Sequence, residues 1–158
     1  MDLYFKQKAF SWFASYDVYY STGKTAFSVK GEFSMSGTAF RIFDDLGSEV
    51  GLVKRKILAW RPTFEIYKHN SHVGNIRKEI TFFKPSFSLD MHDWHMEGSF
   101  SEWNYTVYDG SNRRIADINK ELLKMTDTYR IENVEPENAL EVLMLVIAID
   151  AEKASRSR

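Results

Sequence analysis

The sequence has no cysteine. That excludes disulfides, thiol nucleophiles and cysteine metal sites, and it fits a reducing compartment such as the cytoplasm. Proline is scarce, at three residues, and no Pro/Gly/Ser-rich stretch interrupts the chain. No domain boundary is visible, so residues 1–154 read as one domain and 155–158 as a fraying tail. No apolar run reaches the ~20 residues that a membrane-spanning helix needs. The opening MDLYFKQKAF starts acidic and lacks the apolar centre of a secretory leader. A G-x-S-x-G elbow, an H-E-x-x-H helix and a glycine-rich phosphate loop are all missing. The chain therefore reads as non-enzymatic and without a cofactor. Its net charge of −1 is far from the basic balance that nucleic-acid binding asks for.

What is present is repetition. Residues 40–67, 65–88 and 104–131 each give a strand, a polar turn, a second strand carrying a base, a short kink and the next strand. Alternating runs with strand-forming residues lie near 3–10, 16–20, 25–33, 38–44, 49–59, 63–68, 73–82, 86–91, 94–100, 103–109, 113–124 and 127–132. Twelve short strands at regular spacing predict a mainly β sandwich or barrel. The C-terminus departs from this. After Pro136, residues 142–149 are all apolar, which predicts a helix without a polar stripe. Such a helix must be buried on all sides, and among strands the inside of a barrel offers that.

The order of certain short motifs resembles the LURP-one-related family, part of the tubby-like superfamily that includes the phospholipid scramblases. The residues that carry the resemblance are Tyr4-Phe5-Lys6-Gln7-Lys8, Phe40-Arg41-Ile42-Phe43-Asp44 with Gly47, and Val53-Lys54-Arg55-Lys56-Ile57. Glu65-Ile66-Tyr67, Thr81-Phe82-Phe83-Lys84-Pro85 and Glu97-Gly98-Ser99-Phe100 extend it over essentially the whole chain. The resemblance implies a twelve-stranded antiparallel barrel enclosing a hydrophobic C-terminal helix, and no enzymatic activity. The tubby branch binds phosphoinositides, but none of its lipid-contacting positions carries over to this chain. The cysteine cluster of scramblases is missing.

Alternate turns of a meander fall at opposite ends of the barrel. One set here is polar: Gly23-Lys24, 44–48, His69-Asn70-Ser71, His92-Asp93 and 109–112. The other set bears a large apolar residue at each tip: Trp12-Phe13, Met35, Trp60, Phe82-Phe83, Trp103 and Met125. Bases adjoin several, as in Trp60-Arg61 and Phe83-Lys84. Either these side chains fold inward and cap the helix, which the liability of exposed apolar surface favours, or they meet a membrane while the bases meet lipid phosphates.

Aligned repeats put Arg55, Lys78 and Lys120 in one column, each flanked two residues away by apolar positions. Period two places the base on the inner face, where either the stem is buried and the head snorkels out or the head pairs with a helix carboxylate such as Glu141 or Asp150, a structural pair being favoured over an anionic ligand. Residues 51–86 are rich in lysine and arginine, whereas 87–109 hold aspartate and glutamate and neither lysine nor arginine. Cross-strand pairing accounts for this more simply than a basic patch for an anionic partner. The histidine pairs His69/His72 and His92/His95 sit at i and i+3, opposite faces of a strand, so no metal site is expected. Asp90, Asp93, Glu97 and Glu102 would serve a hydrolase only if they converged in a cleft.

Three roles follow. The first is peripheral binding of anionic phospholipid or a membrane surface by a cytoplasmic protein, with Trp60, Arg61, Phe83 and Lys84 in front and Arg55, Lys78 and Lys120 behind. The second is a scaffold for a protein partner. The third is a small hydrolase.

Overall fold

The computed structural model describes residues 1–7, 15–79, 86–99, 103–122 and 127–156. Twelve strands form one antiparallel sheet: β1 (Leu3–Gln7), β2 (Tyr16–Tyr20), β3 (Thr25–Ser34), β4 (Gly37–Asp44), β5 (Glu49–Arg55) and β6 (Thr63–Lys68). They continue with β7 (Ser71–Glu79), β8 (Ser86–Leu89), β9 (His95–Ser99), β10 (Asn104–Tyr108), β11 (Arg114–Leu122) and β12 (Asp127–Glu132). The order is β8-β7-β6-β5-β4-β3-β2-β1-β12-β11-β10-β9. Every pairing therefore joins sequence neighbours except β1 with β12, which brings the two ends of the meander together. The sheet curls until β8 and β9 lie side by side, forming a seam without ladder hydrogen bonds among the described residues. The result is a nearly closed barrel, as the sequence predicts.

The curl has a local cause that recurs along the chain. Register shifts at Val18/Tyr19, Ile42/Phe43, Ile66/Tyr67 and Val107/Tyr108. Each lies in the strand entering a polar turn, and each pairs a buried β-branched residue with an outward aromatic. A bulge bends its strand and deepens the twist, so four bulges at one level draw that end of the sheet round. The following turns use the expected chemistry. His69 and Asn70 both take positive φ, at 46° and 65°, as a two-residue primed hairpin turn requires. Asp44 accepts hydrogen bonds from the Leu46 and Ser48 amides, and Asp109 does the same for Ser111 and Arg113.

A 3-10 turn at Pro136–Asn138 leads into the helix α1 (Ala139–Arg156). Residues 141–149 are buried without a break, which is two and a half turns with no watery side. Leu143, Val146 and Ile149 are at most 1% exposed. Gly51 lets β5 approach the helix closely, because a Cβ there would lie 2.2 Å from Met144 Cε. Around the rest of the core, Leu3, Val18, Ile42, Ile66, Ile76, Val107, Ile118 and Ile131 contribute the inner face. Each such residue stabilises the fold by about 1.5–3 kcal/mol.

Two boundaries differ from expectation. β5 ends at Arg55 rather than at residue 59. The alternation runs on into a loop, where Ile57 leans on Gly37 and is 56% exposed instead of facing the core. The helix extends to Arg156, so the first half of the expected tail is its last turn. Arg156 Nε reaches Glu152 Oε1 at 3.0 Å and the Ser155 hydroxyl donates to the Glu152 carbonyl.

Candidate functional site

The two ends of the barrel differ in kind, and the helix defines them. Its first turn sits at the polar end. There Glu141 accepts a hydrogen bond from Lys68 Nζ at 2.7 Å and one from His92 Nε2 at 2.6 Å. His92 stacks on buried Trp94, 4.3 Å between centroids, which ties the loop bridging the β8–β9 seam to the helix. Burial alone would raise the Glu141 carboxyl, but the bonds from Lys68 and His92 outweigh it and hold it below the ordinary carboxylate range. A carboxylate whose pKa is lower folded than unfolded stabilises the fold above the unfolded value and loses that contribution as pH falls through the folded one. Replacing Glu141 with Gln is therefore expected to flatten the acid limb of a melting-temperature profile. A variant as steep as the parent below the ordinary carboxylate range would contradict the assignment.

The last turn sits at the other end, and its bases and apolar tips form the candidate site. Two adjacent loops project there. One is the tight β3–β4 turn with Met35 at its tip, and the other is the 56–62 loop between β5 and β6. Met35 is fully exposed, Leu58 is 93% exposed and Trp60 is 81% exposed. Contact between Ile57 and Gly37 holds the two loops together. Arg61 lies 5.3 Å from the Trp60 ring centroid and pairs with Glu79 at 2.6 Å. Lys56 is exposed beside them. At the polar end only Leu46 is a large, strongly exposed apolar residue among the described turns. The apolar tips thus divide between both expectations. Met35 and Trp60 point out. Trp103 folds in, 3% exposed, with Lys153 Nζ 4.6 Å from its ring centroid. Trp12, Phe13, Phe82, Phe83, Lys84 and Met125 lie outside the described residues.

Behind the tips, Glu152 is buried at the mouth of the barrel, 2% exposed. It pairs with Arg55 Nη2 at 3.2 Å, with Lys78 Nζ at 3.3 Å and with Arg156 at 3.0 Å. Two members of the aligned column therefore do meet a helix carboxylate, but it is Glu152 rather than Glu141 or Asp150. Asp150 faces the interior tyrosines. Burial, and after it the Asp150 charge, pushes the Tyr16 and Tyr105 phenols up. Lys120, the third member, stands on the opposite wall, 5.5 Å from the Tyr129 ring centroid. The carboxylates proposed for hydrolysis do not converge. Asp90 is held by Asn75 and Arg77, and Asp93 packs on Gly110. Glu97 is exposed beside His95, and Glu102 lies outside the described residues. The block of bases and the block of acids meet at Arg77–Asp90. The described residues hold no group of three His, Cys, Asp or Glu placed for a metal. An outer-face groove of about 530 Å³ is lined by Tyr4, Lys6, Tyr19, Tyr20 and Thr128 among others, and no carboxylate or histidine among the described residues borders it.

A twelve-stranded antiparallel meander curled into a nearly closed barrel, with a C-terminal helix packed against it, is the fold on which the comparisons bear. The profile of the LURP-one-related family matches residues 1–150, and the chain belongs to that family. It is similar to the Bacillus subtilis (strain 168) protein YxjI, itself described as uncharacterised, with 26% identity over 150 residues, 95% of this chain and 92% of the relative. The X-ray structure of a protein from Arabidopsis thaliana matches with a TM-score of 0.62, covering 94% of this chain and 91% of that one. At 14% identity that likeness speaks for the fold. Neither relative's description names a catalytic activity.

Proposed function

We propose that the protein is a non-enzymatic module that attaches peripherally to anionic phospholipid surfaces from the cytoplasmic side, with the barrel end at the helix C-terminus facing the bilayer. The observation that carries this reading is the exposed trio Met35, Leu58 and Trp60, set on two adjoining loops among Lys56 and Arg61. Turns are ordinarily small and polar. Apolar tips with bases beside them suit an interface in which aromatics enter the headgroup layer and cations meet phosphate. No helix among the described residues is long and apolar enough to cross a membrane, which accords with attachment by loops.

Co-sedimentation with vesicles tests it. The parent is expected to pellet with phosphatidylserine-containing vesicles and not with pure phosphatidylcholine. At roughly 1.5–3 kcal/mol for each large apolar side chain buried, Trp60→Ala combined with Leu58→Ser is expected to weaken binding at least about tenfold. No pelleting with anionic vesicles, or an unaffected double variant, ends the proposal.

A further inference from the structure

Among the described residues, the cations gathered around Glu152 at the helix C-terminus outnumber that carboxylate. Three cations, Arg55, Lys78 and Arg156, converge on the single carboxylate of Glu152. Among the described residues the Arg55 and Lys78 side chains each make one hydrogen bond, both to Glu152, and the Lys78 bond is long at 3.3 Å. A guanidinium has five donors and an ammonium three, so most of their capacity is unspent. The helix C-terminus adds roughly half a negative charge, which leaves more than one positive charge uncompensated. Lys153 belongs to the same mouth, and burial followed by the charge of Lys120 pushes its ammonium pKa down. Asp150 opposes that shift in part, and the clustered cations make the mouth a place of positive potential that attracts anions.

We infer that Arg55, Lys78 and Arg156 form a binding site for a phosphomonoester dianion at the barrel mouth. The match is one of charge and access. Three cations against one carboxylate and the helix C-terminus leave a net positive charge, which attracts a monoester in its doubly ionised form more strongly than a diester with a single charge. The Lys78 side chain is 10% exposed, so its field is weakly screened, whereas Arg55 at 29% and Arg156 at 64% have donors within reach of solvent. Arginine forks are suited to two-point contact with phosphate oxygens. The site lies just behind Met35, Leu58 and Trp60, so a headgroup held there belongs to a lipid whose chains run beneath those tips. In that respect the inference rests on the membrane reading above. The same site would take a free phosphomonoester.

Two probes separate these sources. Vesicles containing phosphatidate, a monoester, are compared with vesicles of equal surface charge containing phosphatidylglycerol, a diester. Inorganic phosphate is added in parallel, with the melting temperature followed above pH 7. Binding to phosphatidate is expected to be about tenfold tighter, which corresponds to one charge-assisted hydrogen bond. Phosphate is expected to raise the melting temperature. Both effects should fall about tenfold in Arg156→Ala, a solvent-facing position whose loss leaves the fold intact, and again in Arg55→Met. Stabilisation by phosphate without vesicle binding keeps the site and removes the membrane reading. Equal binding to the two lipids with no response to phosphate overturns the site and leaves attachment by the tips standing. Indifference of both responses to Arg156→Ala and Arg55→Met also overturns it.

Discussion

Leu145→Asp is expected to leave no cooperatively folded protein. Leu145 has no exposed surface and sits midway along a helix whose residues 141–149 are all buried. Losing a core leucine costs about 2–5 kcal/mol. An unpaired carboxylate in that place adds several more, unless it protonates and is still left without a partner. The sum is comparable to the ~5–15 kcal/mol that stabilises an ordinary domain. Circular dichroism on heating would show no transition where the parent melts sharply. A surface position changes stability by about half a kcal/mol or less, so a variant that melts near the parent would put Leu145 on an open face. Leu145→Ala, with only the cavity cost, should fold and melt lower, which shows that the charge does the further damage.

Glu152→Leu carries the second large effect. Removing one partner from a buried ion pair costs about 3–5 kcal/mol, because the other charge stays buried and alone. Arg156 and Arg55 have access to water, so most of the cost falls on Lys78, which is 8% exposed. Lys78→Met in the Glu152→Leu background should recover most of the loss, since a buried pair exchanged for packed apolar groups is often neutral or better. The four melting temperatures form a double-mutant cycle. Strict additivity of the two changes would mean that Lys78 and Glu152 do not depend on each other.

Much of this architecture is legible in the chain, and what is not has a definite cause. The twelve strands follow from period-two alternation. The buried helix follows from the missing polar stripe between residues 142 and 149. The same lack of a stripe erased the helix's rotational phase. With no polar residue to mark a face, nothing in the sequence says whether Asp150 or Glu152 turns toward Arg55 and Lys78. A helix advances 100° per residue, so two positions separate opposite walls of the barrel. The end of β5 was hidden because Ile57 keeps the alternation going one step past the strand. The bulges have a sequence signature of their own. Val18-Tyr19, Ile42-Phe43, Ile66-Tyr67 and Val107-Tyr108 each put a β-branched residue and an aromatic shortly before a polar turn, a repeat finer than the one that strand counting finds. Sorting the apolar tips by direction needed the structure, because Trp60 and Trp103 stand in similar sequence settings and part company only through packing. Trp103 adopts a φ of 53° that turns its ring into the core.

The account stands most directly on which end of the barrel meets a bilayer. The absence of cysteine makes a clean test available, since one introduced thiol is the sole labelling site. Leu58→Cys at the apolar-basic end and Leu46→Cys at the polar end are each labelled with an environment-sensitive fluorophore and mixed with anionic vesicles. Both parent residues are strongly exposed, so neither label should disturb the core. A blue shift and gain in intensity at position 58, with none at position 46, is the predicted result. An equal response at both ends, or none at 58 while the protein is bound, would contradict it.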